Sequence, residues 1–311
     1  MKGPVAVRRC HLLPLLCLTT VLLSFAHFIY WKTGSDVLRQ DDAPKRSDAL
    51  KQHVMDTCKQ LSLPTNLSGE TLSHMHYDDS RKVIYCFIPK VACTSWKRVW
   101  FKMTGMLKPG KDENSLDSAS FRTTVHTVLP LLANAKDKEE KLRTYKKFML
   151  VRHPAVRVLS AYRDKLENAD KVSLYNFHKM IGKKIEMKYR GTNAGSGHNV
   201  TFPEFIRFIS EPGGGTAEQR NEHWLPMHTL CSPCSVHYDF IGKFEHLKED
   251  SEYLLKWLGV TDLISEFPAA DRPFQAKSHV SKYYGQLSVK ETVAFHTKYK
   301  SDFLLFNYTY M

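Results

Sequence analysis

Six consecutive residues, Val83-Ile84-Tyr85-Cys86-Phe87-Ile88, form an unbroken apolar run that ends at Pro89. Beyond it, Trp96, Val99, Trp100 and Met103 recur at i, i+3, i+4 and i+7. A run with no polar alternation suits a strand covered on both faces, as in a parallel sheet, and the recurrence marks one face of a helix. The pattern returns at Phe148-Met149-Leu150-Val151, which is turned by Arg152-His153-Pro154 and followed by Val158, Leu159, Tyr162 and Leu166. Strand, turn and helix occurring twice predict an α/β domain around a central, mostly parallel sheet.

The chemistry sits in the two turns. Pro89-Lys90-Val91-Ala92-Cys93-Thr94-Ser95 leads from the first strand into its helix. Proline stops the strand, and Thr94 or Ser95 is placed to cap the helix. The first amides of a helix lack intrahelical partners and attract anions. Lys90 adds a cation and Thr94 and Ser95 add hydroxyls, a set suited to a phosphosulfate. The loop is not a GxxxxGK[ST] nucleotide loop. In the second turn, Arg152 stands at the C-terminal end of its strand, where open α/β sheets bind ligands, and a guanidinium there grips a phosphate with two hydrogen bonds. Ser160 follows about two helical turns later. Read without function, Arg152 and Arg157 are solvated surface charges.

Leu12 to Trp31 contains no Asp, Glu, Lys or Arg. Twenty apolar residues in a helix rise about 30 Å, one hydrocarbon thickness. The run is longer than the apolar region of a cleaved signal and ends at Tyr30-Trp31, an interfacial aromatic pair. We read 1–11 as a cytosolic tail, 12–31 as a transmembrane signal anchor, 32–75 as a polar stem and 76–311 as a lumenal domain. The charges flanking the span are nearly balanced. The sequons at Asn66, Asn199 and Asn307 all follow it and favour a type II orientation. Five cysteines, Cys58, Cys86, Cys93, Cys231 and Cys234, are then lumenal, where disulfides form, and an odd number leaves one over. Cys231 and Cys234 have zinc-ligand spacing but no second pair, so a disulfide or plain buried thiols suit them better. Lys and Arg number 45 against 32 for Asp and Glu, an excess that favours anionic partners without identifying one. Lys183, Lys184, Lys188 and Arg190 concentrate part of it, either as a groove for an acidic polymer or as a solvated helix face.

The segments PKVACTSW and RHPAVRVLSAY resemble the paired cofactor motifs of Golgi carbohydrate sulfotransferases, in particular the group of chondroitin and dermatan 4-O-, GalNAc 4-O- and natural-killer-epitope sulfotransferases. The similarity runs from about Tyr77 to Tyr308. It includes Asn221-Glu222-His223-Trp224, Leu230-Cys231-Ser232-Pro233-Cys234, Tyr238 to Glu245 and Asp302 to Tyr308. The resemblance implies a P-loop-like sulfotransferase domain using 3′-phosphoadenylyl sulfate as sulfonate donor. It implies that Pro89, Lys90, Val91, Ala92, Cys93, Thr94 and Ser95 bind the 5′-phosphosulfate. Arg152, His153, Pro154, Ala155, Val156, Arg157, Val158, Leu159 and Ser160 would bind the 3′-phosphate, with Arg152 and Ser160 as main contacts. His153 stands where the family commonly has an acid, and Ala155-Val156 where it has a bulky–acidic pair.

Sulfonate transfer builds charge on the leaving phosphate oxygen and takes a proton from the acceptor hydroxyl. Lys90 suits the first task and a histidine the second. The resemblance points to His126, between the two motifs, as base, with His223 second. The chemistry requires no metal. The implied partner is a glycosaminoglycan or glycoprotein glycan rather than nucleic acid, and the implied place is the Golgi membrane. The wording PKVACTSW leans toward O-4 of GalNAc in chondroitin or dermatan, with terminal GalNAc of N-glycans as the alternative. From another class, a non-enzymatic membrane glycoprotein that binds acidic glycans would share the charge but would not need Lys90, Arg152 and Ser160 in two such turns. A metal-dependent glycosyltransferase is disfavoured by the lack of an Asp-x-Asp triplet.

Overall fold

A computed structural model describes residues 42–106, 128–167, 177–212, 215–268 and 276–310. The apolar run 12–31 and His126 lie outside them. Among the described residues no helix is long and apolar enough to cross a membrane.

The described residues open with helix α1 (Asp42–Leu61) and a single turn, α2 (Gly69–Leu72). Strand β1 (Met75–Asp78) turns back on β2 (Val83–Cys86), and α3 (Cys93–Met103) follows. Next come α4 (Lys138–Thr144), β3 (Lys146–Val151) and α5 (Pro154–Tyr162), which continues into a π-helical turn, Arg163–Glu167. Then α6 (Lys183–Arg190), α7 (Phe202–Ile209) and α8 (Met227–Cys231) precede β4 (Phe240–Lys243). Helices α9 (Leu247–Trp257), α10 (Ala276–Tyr284) and α11 (Val289–Leu305) complete the order.

The sheet runs β1-β2-β3-β4. Strands β2, β3 and β4 are parallel, with Cys86 opposite Met149 and Val151 opposite Lys243. The sheet is mostly parallel, as expected, and is mixed because β1 lies antiparallel along the edge of β2. The cause is local. The Asp78 carboxylate accepts from Ser80 Oγ at 2.8 Å and from the Arg81 amide at 3.2 Å, and Lys82 takes a left-handed φ of 51°, so the chain reverses at once. A crossover needs far more chain than these four residues.

Two cores flank α5. One covers the sheet, where Tyr85, Trp96, Trp100 and Phe148 form a buried aromatic cluster. The other joins α5 to α7 and α11 through residues such as Leu159, Leu166, Phe205, Phe295 and Phe303. The helical faces expected from the sequence, Trp96 to Met103 and Val158 to Leu166, are the faces found buried.

The reading of 32–75 as a stem needs correction from Asp42 onward. Ala43, Ser47, Leu50, Val54 and Thr57 fall at alternating intervals of four and three and are buried along one side of α1. Ser47 Oγ accepts the Ile241 amide at 2.9 Å, Arg46 meets Asp250 at 2.7 Å, and Cys58 is disulfide-bonded to Cys234. The stripe is made partly of Ala, Ser and Thr, so polar composition hid an amphipathic helix that belongs to the domain.

Candidate active site

With β3 between β2 and β4, the two turns and the loop after β4 emerge side by side at the C-terminal edge of the parallel strands. The first turn enters α3 through left-handed backbone: φ is 71° at Lys90 and 54° at Ala92, the helix N-cap. No side chain caps this helix, so Thr94 and Ser95 do not play the expected capping part; both lie within the first turn. The leading amides of α3 are thus left to a ligand or solvent. Pro89, Val91 and Ser95 are buried, while Lys90, Ala92, Cys93 and Thr94 are half-buried.

The second turn is built differently. His153 precedes α5 and Pro154 occupies its first turn, where the missing amide costs nothing. The His153 amide donates to Glu245 at 3.0 Å. Arg152 is buried, donates from Nη1 to the Lys90 carbonyl at 2.9 Å, and lies 4.2 Å from the centre of the Phe244 ring. Burial pushes its pKa down to about 10, with Glu245 acting against that. Its Nε is buried without a hydrogen-bond partner among the described residues.

Arg157 is neither a solvated charge nor an open ligand contact. It is 1% exposed, and its guanidinium donates to the carbonyls of Pro89 (3.0 Å), Leu225 (2.7 Å) and Glu222 (2.9 Å). This is a strut between the first turn and the Asn221–Trp224 block. Ala155, Val156, Val158 and Leu159 are buried core residues, as α5 is covered on all sides. Ser160 is buried on the same helix.

Lys90 Nζ lies 3.1 Å from Asp164 Oδ2, on the turn that extends α5. Lys165 Nζ reaches the same oxygen at 3.4 Å. Burial lowers the Lys90 pKa, and Asp164 partly restores it. His223 completes the group. Asn221 Oδ1 accepts the His223 amide at 3.1 Å and contacts its Nδ1 at 2.9 Å. An oxygen that accepts from both makes Nδ1 the protonated nitrogen and leaves the lone pair on Nε2. Burial, then the Lys165 charge, push the His223 pKa down to about 3. The neighbouring Glu222 is fixed by His74 at 3.1 Å. Burial pushes that carboxyl up, but the His74 hydrogen bond together with the His223, His74 and Lys97 charges outweighs it and holds the pKa low.

The structure therefore brings Lys90, Arg152 and His223 together. Sequence reasoning missed Asp164, Lys165 and the bracing role of Arg157; their only signal was position on a helix already suspected of function. The Cys231–Cys234 pair does not close on itself. Cys86 pairs with Cys231 and Cys58 with Cys234, and Cys93 is free. The basic cluster is largely neutralised: Lys184 pairs with Glu218, Lys188 with Glu211 at 2.5 Å, and Arg190 with Glu204 at 2.6 Å. That favours a solvated helix face over a polymer groove. Asn66, Asn199 and Asn307 are exposed.

An orphaned buried guanidinium N–H, an uncapped helix start and a lysine beside it fit a donor with separate phosphate groups. Comparison with known proteins agrees. Residues 73–309 match the sulfotransferase family. Carbohydrate sulfotransferase 11 of Rattus norvegicus is 33% identical over 270 residues, 83% of this chain and 75% of the relative. Carbohydrate sulfotransferase 14 of Homo sapiens is 33% identical over 294 residues, 89% and 73%. Carbohydrate sulfotransferase 12 of Xenopus laevis is 32% identical over 266 residues, 78% and 62%. No solved structure matches. A match over most of the chain, the two turns included, establishes that this protein belongs to the sulfotransferase family and is a transferase that uses 3′-phosphoadenylyl sulfate.

Proposed function

We propose that the protein sulfonates a glycan hydroxyl, with O-4 of GalNAc in chondroitin or dermatan as acceptor, on the lumenal side of a Golgi membrane. The observation that carries the reading is the meeting of Lys90, Arg152 and His223 at the edge of the parallel strands. The carbohydrate acceptor follows the names of the relatives. Two disulfides support an oxidising compartment, and residues 12–31 supply the apolar run for an anchor.

The bound donor supplies a sulfonate on a phosphate leaving group. Arg152 Nε and the leading amides of α3 bind its anionic ends, with Ser160 adding a hydroxyl from α5. Lys90 offsets the negative charge that develops on the leaving oxygen. His223 Nε2 takes the proton of the acceptor hydroxyl. Its depressed pKa reflects burial and lysine charge; an anionic donor neutralises the lysines and brings the imidazole toward the range a base requires. His126 competes for this role.

The test is transfer of radiolabelled sulfonate by the full chain to desulfated chondroitin, dermatan, heparosan and a GalNAc-terminated glycan. His223→Ala and His126→Ala are assayed beside the unaltered protein. Label on chondroitin or dermatan, lost in His223→Ala and kept in His126→Ala, is the expected result. Label confined to the GalNAc-terminated glycan would reassign the acceptor, and loss only in His126→Ala would reassign the base.

A further inference from the structure

Asp164 lies on the π-helical turn Arg163–Glu167, and such widened turns re-aim side chains and recur at functional sites. The chain segment that carries the 3′-phosphate contacts thus also delivers a carboxylate to the lysine of the other turn. The groups facing Lys90 are Asp164 and Lys165 from this turn and the Cys93 thiol from α3. His223 lies near enough to feel both lysines, Asp164 and Glu222. Among the described residues, Asp164 is the carboxylate within ion-pair distance of Lys90, at 3.1 Å.

We infer that Asp164 is a positioning residue for sulfonate transfer: it holds Lys90 in its ammonium form beside the first turn and yields it to the leaving oxygen when donor binds. The inference rests on Lys90 being the group that meets that oxygen. A buried lysine without a counter-charge gives up its proton easily, and a neutral amine offers little to a developing anion. Burial pushes the Asp164 carboxyl up, yet the Lys90 and Lys165 charges hold it well below the ordinary carboxylate range, so it stays ionised wherever the enzyme works. Lys165, of like charge, opposes Asp164 at Lys90.

The sign follows. Activity that needs ammonium is lost as pH rises through the Lys90 pKa. Removing Asp164 lowers that pKa, and removing Lys165 raises it. The measurement is the pH profile of kcat/KM for the donor, which reports groups of the free enzyme. Asp164→Asn moves the alkaline limb down by about one pH unit, Asp164→Glu restores it in part, and Lys165→Met moves it up. Alkaline limbs that stay in place in both Asp164→Asn and Lys165→Met, with activity lowered equally at every pH, would overturn the inference. If Asp164→Asn does not fold, the upward shift in Lys165→Met carries the test alone. Full turnover in Lys90→Ala is a different failure: it removes the role of Lys90 itself.

Discussion

The two turns begin alike in sequence, each a proline-marked exit from a buried strand, and end as different devices. The first holds left-handed backbone at Lys90 and Ala92, leaves its helix uncapped and keeps its cation half-buried on a carboxylate borrowed from elsewhere. The second has proline in the helix first turn, and both of its arginines point back at the first: Arg152 holds the Lys90 carbonyl and Arg157 the Pro89 carbonyl. On the proposed function, one turn is the reactive part and the other is its frame. Left-handed residues cost energy and persist only where surrounding contacts over-determine them. The arginines supply those contacts, so the second turn braces the first.

The largest test of this division is Arg157→Ala. It strands three carbonyls in the interior and should cost about 3 kcal/mol of stability, read by chemical denaturation. Unaltered stability would mean that the first turn does not need its frame. Arg152→Lys comes next. It keeps a charge but loses the planar fork, so the donor KM should rise about tenfold with stability little changed; an unchanged KM would leave Arg152 purely structural. The smallest effect is expected outside the two turns. Burial pushes the Glu204 carboxyl up, but Arg190 and the Thr201 donors outweigh it and hold its pKa at about 2. The stabilisation is present above the unfolded-chain value and is lost as pH falls toward 2. Glu204→Gln should therefore cost about 1 to 2 kcal/mol at neutral pH, a deficit that shrinks on acidification, with turnover intact. Lost turnover would show that coupling to the site extends well beyond the two turns.

What could be read from the sequence was local. Periodicity placed β2, α3, β3 and α5, because a buried face repeats along a few residues. Lys90 and Arg152 could be singled out because their types and positions fit an anion at a strand-to-helix turn. What could not be read was set by distant partners. The stripe on α1 was masked by Thr57 and by Ser47, whose hydroxyl finds the Ile241 amide only once α1 packs against the sheet. Arg157 looks like any helical surface arginine until the carbonyls of Pro89, Glu222 and Leu225 converge on it. The cysteine count required a leftover thiol without showing that Cys86 would reach Cys231. Asp164 had no motif; a π-turn brings it to Lys90.

On the proposed function, the first turn performs chemistry on a donor held within the frame of the second. Its most direct test measures both properties in Lys90→Ala: binding of adenosine 3′,5′-bisphosphate by calorimetry, and single-turnover transfer of labelled sulfonate. Transfer should slow by about 100-fold or more with nucleotide affinity within a few-fold of the unaltered protein. Equal losses in affinity and rate, or unchanged transfer, would contradict it.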